Sequence, residues 1–166
     1  MSHAPLDPLL VAQVVLPHVV VSESVEDAYR RLSPGLVRMA YLLVDTAELA
    51  EEAVQEAFAA AYPKWSRVEN PDAYLRVSVI NWCRKVQRRR RLVRRTAEPA
   101  VENSVLGADH LADVVRALKP PMREMVVLRY YLQLSDSEIA EALNTAVGTV
   151  KSTLHRARAQ MKKELT

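Results

Sequence analysis

Apolar residues recur every three or four positions along much of this chain, which is the spacing of amphipathic helices. The first pattern covers residues 25–44 and includes Pro34, which should kink or divide the helix because proline removes an internal hydrogen bond. A second helix is predicted after Thr46, a good N-cap residue, and Pro63 should end it, so that residues 64–69 form a loop. The apolar positions of these two helices are Val25, Tyr29, Leu32, Leu36, Val37, Ala40, Leu43, Val44, Ala50, Ala53, Val54, Ala57, Phe58 and Ala61.

A third helix is indicated by Asn70-Pro71-Asp72, which supplies an asparagine cap, a proline at the first helical position and an acid in the first turn. The apolar period is lost over residues 96–108, which contain proline, asparagine, serine and glycine and therefore predict a linker. Helical spacing returns in a fourth helix that Pro120-Pro121 should stop, before a support helix over residues 122–132. The apolar positions of the third and fourth helices are Leu75, Val79, Trp82, Val86, Leu111, Val114, Val115 and Leu118.

Residues 128–165 predict two helices joined by a tight turn. Ser135 and Glu138 can form a capping box, in which each side chain accepts a hydrogen bond from the other residue's backbone N–H, and this marks a helix start. This pattern matches the helix-turn-helix: a short helix, a turn and a second helix with outward-facing cationic and hydroxyl groups. In that motif the second helix lies in the DNA major groove. The alternative is an ordinary amphipathic helix with a solvated basic face. The second helix has an apolar stripe of Val147, Val150, Leu154, Ala157, Met161 and Leu165, opposite Lys151, Ser152, His155, Arg156, Arg158, Lys162 and Lys163.

Composition favours an all-α protein with an uneven charge distribution. The 166 residues suffice for one medium domain or two small ones, and they include only 3 glycines and few aromatic residues. Residues 45–56 hold five acidic and no basic side chains, and they form either a solvated surface or a partner-binding face. Residues 84–95 hold eight basic and no acidic side chains. Because so many like charges repel one another, a polyanionic partner explains the basic run better than a solvated surface does.

The sequence gives no sign of catalysis, metal binding or membrane insertion. The single Cys83 excludes an internal disulfide and suits a reducing compartment, so a cytoplasmic protein is expected. The 4 histidines lack metal-ligand spacing, so we expect no bound metal. Because the sequence has no phosphate loop and no nucleophile–base arrangement, we also expect that the protein binds no cofactor and is not an enzyme. Residues 1–22 form an apolar extension whose apolar stretch, residues 9–21, is interrupted by Gln13, Pro17 and His18, is too short to span a bilayer and lacks the features of a signal peptide. It should be a helix or strand packed on the body or on a partner.

Four segments in this order resemble the extracytoplasmic-function sigma factors, the minimal branch of the bacterial sigma-70 family. They are AELAEEAVQEAFAAAYPKW at 47–65, NPDAYLRVSVINWCRK at 70–85, ALKPPMREMVVLRYYLQLSDSEIAEAL at 117–143 and VGTVKSTLHRAR at 147–158. The resemblance covers about residues 25–165 and implies an all-α fold of two small helical domains joined by a flexible linker. The implied division is an N-terminal extension 1–22, a sigma-2-like domain 23–95, the linker 96–108 and a sigma-4-like helix-turn-helix domain 109–166.

The resemblance also implies partners and site residues. The protein would bind the clamp helices and flap of the RNA polymerase core, select promoter DNA and leave the chemistry to the polymerase. An anti-sigma factor is a further implied partner. The residues implied to bind the core are Glu51, Glu52, Gln55 and Glu56. Those implied to bind the −10 element, with capture of a flipped base, are Ser66, Arg67, Asn70, Asn81, Arg84, Lys85 and Arg88. Those implied to recognise the −35 element are Thr149, Lys151, Ser152, His155, Arg156 and Arg158.

The turn of the helix-turn-helix departs from the family's usual pattern. Asn144 stands where glycine is common, although asparagine also tolerates a left-handed conformation. Ala146 stands where a serine commonly caps the recognition helix, so Thr145 would have to supply the cap from a shifted start. These departures affect the predicted boundary of the helix and not the predicted fold.

Two other functions compete with the sigma-factor interpretation. A free-standing helix-turn-helix regulator would use the acidic helix as a dimer seam and would bind two half-sites one helical turn apart. It leaves the basic helix over residues 70–95 unexplained. An RNA-binding or other interaction protein would use the arginine run as an electrostatic patch, but it makes no use of residues 147–158.

Overall fold

The computed structural model describes residues 23–44, 46–94 and 110–165, and in these ranges the chain forms seven α-helices, one 3₁₀ helix and no strand. They form two compact units, one built from α1 to α3 and the other from α4 to α7. The all-α prediction is therefore confirmed, whereas the predicted extension and linker lie outside the described residues. The helices are α1 (Val25–Leu43), α2 (Ala47–Ala61), the 3₁₀ helix (Tyr62–Arg67), α3 (Pro71–Arg94), α4 (His110–Ala117), α5 (Pro120–Tyr130), α6 (Asp136–Ala142) and α7 (Val147–Glu164).

In the first unit, α1, α2 and α3 each pack against the other two around a shared apolar core. Burying a large aliphatic side chain contributes roughly 1.5–3 kcal/mol relative to leaving it exposed, so this core is the main favourable term in folding the unit. The helix α2 lines the core largely with alanine, which lets the neighbouring helices approach its backbone closely. The largest fully buried side chains are Met39, Leu43, Val54, Leu75, Val77, Val79 and Ile80.

Each helix of the first unit begins at a side-chain cap. The side-chain oxygens of Ser24, Thr46 and Asn70 accept hydrogen bonds from the backbone N–H three residues on, at 3.1, 3.3 and 3.1 Å. The starts predicted at Thr46 and Asn70 are therefore confirmed. At the end of α1, Gln87 on α3 donates its side-chain amide to the carbonyl of Leu43, one of the terminal carbonyls that a helix cannot satisfy by itself.

Predictions based on prolines are correct only in part. Pro34 does not divide α1. Proline removes only the hydrogen bond to the carbonyl of Arg30, and because both residues are exposed, water can take its place. The helix α2 does end before Pro63, but the residues that follow form the 3₁₀ helix instead of a loop. Pro120 and Pro121 are the first residues of α5, where the N–H groups that proline lacks have no partner inside the helix anyway.

In the second unit, α7 packs against α4, α5 and α6. The fully buried large side chains are Leu118, Val127, Leu128, Ile139 and Val150. The predicted apolar stripes are wrong at four positions at or near helix ends, which are exposed and not buried. The residues concerned are 39–50% exposed, and they are Leu111, Val147, Leu165 and, in the first unit, Tyr29.

The helix α6 begins with the predicted capping box. Ser135 Oγ accepts from the Glu138 N–H at 3.3 Å, and Glu138 Oε2 accepts from the Ser135 N–H at 2.7 Å. The Ser135 hydroxyl also donates to Glu138 Oε2 at 2.6 Å. The hydrogen bond from the Ser135 hydroxyl, and to a smaller extent the one from its N–H, favour the ionised carboxylate. They hold the pKa of Glu138 below its ordinary value.

The turn between α6 and α7 is a Schellman motif centred on Asn144, whose φ is 47°. Its N–H donates to the carbonyl of Glu141 at 3.2 Å, and the N–H of Thr145 donates to the carbonyl of Ala140 at 2.9 Å. The expectation that asparagine supports this turn is confirmed. The helix α7 begins directly after Ala146 with no side-chain cap, so the shift to a Thr145 cap does not occur.

Replacing Asn144 should show how much the left-handed conformation costs. Asn144→Gly should keep or raise the stability of the second unit, because glycine has no Cβ to penalise positive φ. Asn144→Ala should lower it by about 1 kcal/mol, because alanine keeps the Cβ but loses the short polar side chain that lets asparagine adopt the left-handed conformation. Hydrogen exchange at the buried Leu154 amide measures this unit. The 2 tryptophans, Trp65 and Trp82, lie in the first unit, so an unchanged fluorescence transition is the control. Equal protection in the alanine and glycine variants would contradict the prediction.

The capping box should make the stability of the second unit pH-dependent. Because the pKa of Glu138 is lower in the folded chain, its contribution is fully present above about pH 4.5 and is lost as the pH falls through the folded pKa. Glu138→Gln should therefore be less stable than the wild type at neutral pH, and the difference should shrink in acid. Glu141→Gln changes an exposed carboxylate of the same helix and is the matched control. A difference that does not vary with pH would show that the charge of Glu138 is not involved.

Candidate nucleic-acid interface

One side of α7 is buried in the second unit, and the other side presents polar groups to solvent. The buried residues are Val150, Thr153, Leu154 and Ala157. The six residues of this helix that were predicted to contact DNA are all exposed, and we call them the recognition face: Thr149, Lys151, Ser152, His155, Arg156 and Arg158. The structure therefore brings the predicted set together on the side opposite the core.

The rotation of about 100° per residue divides the recognition face into a centre and two margins. Thr149 and Arg158 lie at the margins, about 180° apart, so they cannot both point at the floor of one groove. For a helix lying in a major groove, the centre faces base edges and the margins face the two phosphate backbones. The centre spans about 140° and holds Lys151, Ser152, His155 and Arg156.

Three hydrogen bonds hold side chains of the recognition face against their own helix. Arg156 Nη2 donates to Thr153 Oγ1 at 3.3 Å. Ser152 Oγ and Arg158 Nε donate to backbone carbonyls of the preceding turn, at 3.0 and 3.3 Å. Thr153 was not predicted to matter, yet it is only 5% exposed and orients an arginine of the recognition face. The signal that could have revealed it is a hydroxyl residue placed within the apolar stripe.

The helix α3 carries a second polar stripe, which we call the basic stripe. Its four residues lie within about 100° of helix rotation, so the structure places this part of the predicted −10 set on one side. The run Arg88–Arg91 extends the positive charge toward the end of the helix. Lysine and arginine at helical spacing can neutralise successive phosphates. The basic stripe comprises Asn81 and Arg84, which are half-buried, and Lys85 and Arg88, which are exposed.

The segment between α2 and α3 holds the remaining residues of the predicted −10 set. Ser66 and Arg67 are exposed at the end of the 3₁₀ helix. Asn70 is half-buried, and its Oδ1 accepts the capping hydrogen bond from Ala73. Asn70 is thus primarily a structural residue, because its side-chain oxygen already has a partner within the protein.

Trp65 anchors this segment to α2 and to the residues just before α1. Its indole Nε1 donates to the backbone carbonyl of Glu23 at 2.8 Å. Its ring stacks on Phe58 at 6.4 Å between centroids, and Phe58 meets Tyr29 edge to face at 5.0 Å. The sequence had placed Trp65 only at the start of a loop. Its hydrogen-bond partner is 42 residues away, so no local pattern could have indicated the contact.

Arg31 on α1 binds two carboxylates at once, and we call this arrangement of Glu23, Arg31 and Asp72 the Arg31 bridge. Its Nε and Nη2 donate to Glu23 at 2.9 and 2.7 Å, and its Nη1 and Nη2 donate to Asp72 at 3.0 and 2.8 Å. Hydrogen bonds to Glu23 and then to Asp72 raise the pKa of Arg31, so the guanidinium stays charged. The helical pattern of the sequence did not single out Arg31.

The side of α2 that faces away from the core is acidic. The residues predicted to bind the RNA polymerase core are all exposed, and we call them the acidic face: Glu51, Glu52, Gln55 and Glu56. Ala53, Val54, Ala57 and Phe58 occupy the buried side. The acidic face therefore belongs to a helix whose position is fixed by an apolar core behind it.

The described part of the chain shows neither a metal cluster nor a reactive thiol. In those ranges no group of three or more histidine, cysteine, aspartate or glutamate side chains could hold a metal ion. Burial raises the pKa of the Cys83 thiol to about 12, which keeps it protonated and unreactive. No helix within the described ranges is long and apolar enough to cross a membrane.

Comparison with known proteins assigns both units to one family. The family model "Sigma-70 region 2" matches residues 28–95, and "Sigma-70, region 4" matches residues 109–161. The RNA polymerase sigma-E factor of Streptomyces coelicolor is 37% identical over 150 residues, which cover 84% of this chain and 85% of that protein. The chain belongs to the sigma-70 family. A shorter match, 49% identical over 43 residues, links this sigma factor to the ECF RNA polymerase sigma factor SigW of Bacillus subtilis, over 26% of this chain and 23% of that protein.

The fold agrees with this assignment. A co-crystal structure of the sigma factor RpoE with the anti-sigma factor NepR from Bartonella quintana matches with a TM-score of 0.60, covering 84% of this chain and 95% of that one. At 24% sequence identity this likeness shows the fold alone. The protein is an extracytoplasmic-function sigma factor, a non-enzymatic subunit that directs transcription initiation. This result confirms that it is not an enzyme and displaces the free-standing regulator and the RNA-binding protein as interpretations.

Proposed function

We propose that this sigma factor uses its three exposed polar surfaces for three separate partners. The acidic face of α2 binds the clamp helices of the RNA polymerase core. The residues around the 3₁₀ helix and the basic stripe of α3 bind the −10 element, and the recognition face of α7 binds the −35 element. The proposed division is an N-terminal extension at 1–22, a domain that binds the polymerase core and the −10 element at 23–95, a linker at 96–108 and a domain that binds the −35 element at 109–166.

The observation that carries this proposal is the exposed recognition face on the second helix of a helix-turn-helix. Arginine and lysine donate well to guanine O6 and N7 in the major groove, and serine can contact any base pair. All three residue types occur at the centre of the recognition face, as Lys151, Ser152 and Arg156. The marginal residues Thr149 and Arg158 supply phosphate contacts that fix the position of the helix on the duplex.

Two features of the first unit support a role in opening the −10 element: its basic stripe and the exposed residues Ser66 and Arg67. The basic stripe neutralises phosphates of the DNA, which supplies affinity that depends on salt and not on sequence. Ser66 and Arg67 are exposed beside a fixed aromatic residue, so they can contact a base that has left the stack. Extruding a base costs a few kcal/mol, and these contacts offset that cost.

The remaining partners follow from the same surfaces. The acidic face fits a basic surface of the core, and the second unit reaches the flap. RpoE was solved in complex with the anti-sigma factor NepR, and we extend this to an anti-sigma factor as a partner of this chain. Because the polymerase core is its working partner, the protein acts in the cytoplasm.

Transcription by purified bacterial core polymerase, with and without this protein, tests the proposal on a pool of genomic fragments from its source. Discrete transcripts should appear only when the protein is present, and their start sites should share two sequence elements. Charge reversal by Glu52→Lys should reduce core binding, whereas Glu26→Lys, at an exposed position on α1, should not. Tight binding of a palindromic operator by the free protein, without core, would contradict the proposal.

Substitutions on α7 should distinguish base recognition from phosphate binding. Arg156→Ala or Lys151→Ala should alter the preferred base at the −35 element, at a cost of about 1–3 kcal/mol for each bidentate interaction with a base that the substitution removes. Arg158→Ala, at the margin, should weaken binding to all sequences alike and should lower the slope of the salt dependence by about 1, since it removes one phosphate interaction. Initiation from promoters randomised at the −35 element, measured at several salt concentrations, gives both quantities. Uniform weakening by all three variants would show that α7 contacts only the backbone.

A further inference from the structure

The Arg31 bridge connects to the segment proposed to bind the −10 element through Glu23 and Asp72. Its guanidinium makes four hydrogen bonds of 2.7–3.0 Å to the two carboxylates. The side chains of Arg31, Glu23 and Asp72 are 47%, 16% and 30% exposed, so water reaches the arginine more easily than it reaches the carboxylates. Such a planar bidentate geometry fixes orientation as well as distance, which a lysine could not do.

The bridge holds both ends of that segment. At one end, the backbone carbonyl of Glu23 accepts the hydrogen bond from Trp65, so the residue that pairs with Arg31 also holds the indole. At the other end, Asp72 belongs to the first turn of α3, two positions after the helix cap Asn70. Both ends are therefore connected to Arg31 through directional hydrogen bonds. Ser66 and Arg67 lie between them and are exposed.

A neighbouring arginine shows how this arrangement differs from an ordinary surface ion pair. Arg30 meets Asp27 on its own helix at 3.2 Å, and the two side chains are 76% and 64% exposed. A pair of that kind contributes little, because solvent screens it. Arg31, in contrast, joins α1 to α3 across 41 residues of sequence.

We propose that Arg31 is a positioning residue for −10 recognition: by bridging Glu23 and Asp72, it sets the geometry of the segment from Trp65 to Asp72 that contacts the opened strand. This inference deepens the proposed function of the first unit and rests on it. Arg31 itself need not touch DNA. Its effect is on base discrimination, because a binding pocket tolerates only small displacements of the groups that line it.

The test uses holoenzyme reconstituted from core polymerase and the full chain, on a promoter obtained in the transcription experiment. Single-base variants of its −10 and −35 elements give one discrimination ratio for each element. Arg31→Met should reduce the −10 ratio by roughly 10-fold, below the ~100-fold that a 1 Å misplacement can cost, and should leave the −35 ratio and core affinity unchanged. Arg30→Met removes the same charge one residue away and should leave both ratios as in the wild type.

A second pair of variants covers the case in which Arg31→Met does not fold. Asp72→Asn weakens the connection to α3 while keeping Arg31 and its pairing with Glu23, and Asp27→Asn is its control. Asp72→Asn should lower the −10 ratio selectively, and Asp27→Asn should not.

Each remaining outcome decides against a specific claim. Wild-type discrimination at −10 by a folded Arg31→Met would overturn the positioning role. An equal loss of initiation at all promoters, with the −10 ratio intact, would show that the bridge only stabilises the fold. If wild-type holoenzyme itself showed no −10 discrimination, the proposed function of the first unit would fail, and the role of Arg31 would fail with it.

Discussion

Each helix described in this sigma factor depends on burying one side in a core, because the stability of a helix in a protein comes mostly from packing of its apolar side. In α2 the buried side is a row of alanines with Phe58, and in α7 it is Val150, Leu154 and Ala157. The opposite side of each helix is exposed, and it is acidic on α2 and basic on α7. Burial thus decides which residues can reach a partner before any partner is present. A change that loosened either core would affect both folding and recognition.

The connections between the helices also help to position the exposed polar surfaces. Asn144 and Gln133 both have positive φ, at 47° and 56°, and they lie in the turns on either side of α6. Arg129 Nη1 donates to the carbonyl of Leu134 at 2.7 Å and so holds the turn that precedes α6. In the first unit the 3₁₀ helix and the Arg31 bridge have the corresponding role. These short polar contacts hold the turn before α6 and both ends of the segment between α2 and α3.

Features that depend on near neighbours in sequence could be predicted. The cap at Thr46, the Asn70-Pro71 helix start and the capping box at Ser135 each join groups three residues apart, so their chemistry is visible in the sequence. The charged faces were also predictable, because helical periodicity places residues on a side without knowledge of the fold. Pro34 was predicted to kink or divide the first helix, and it does not divide α1, since the cost of a missing hydrogen bond depends on whether water can reach the carbonyl that loses it.

The contacts that position the candidate −10 segment were decided only by the tertiary structure. Arg31 and Asp72 are 41 residues apart, Glu23 and Trp65 are 42 apart, and Leu43 and Gln87 are 44 apart. The burial of Thr153 likewise depends on how closely α7 approaches its neighbours. By itself the sequence determined the helices, their caps and their charged sides, because these arise from interactions within one or two turns. Which distant polar groups meet was left to the packing of the helices, since only the apolar cores bring such residues within hydrogen-bond reach.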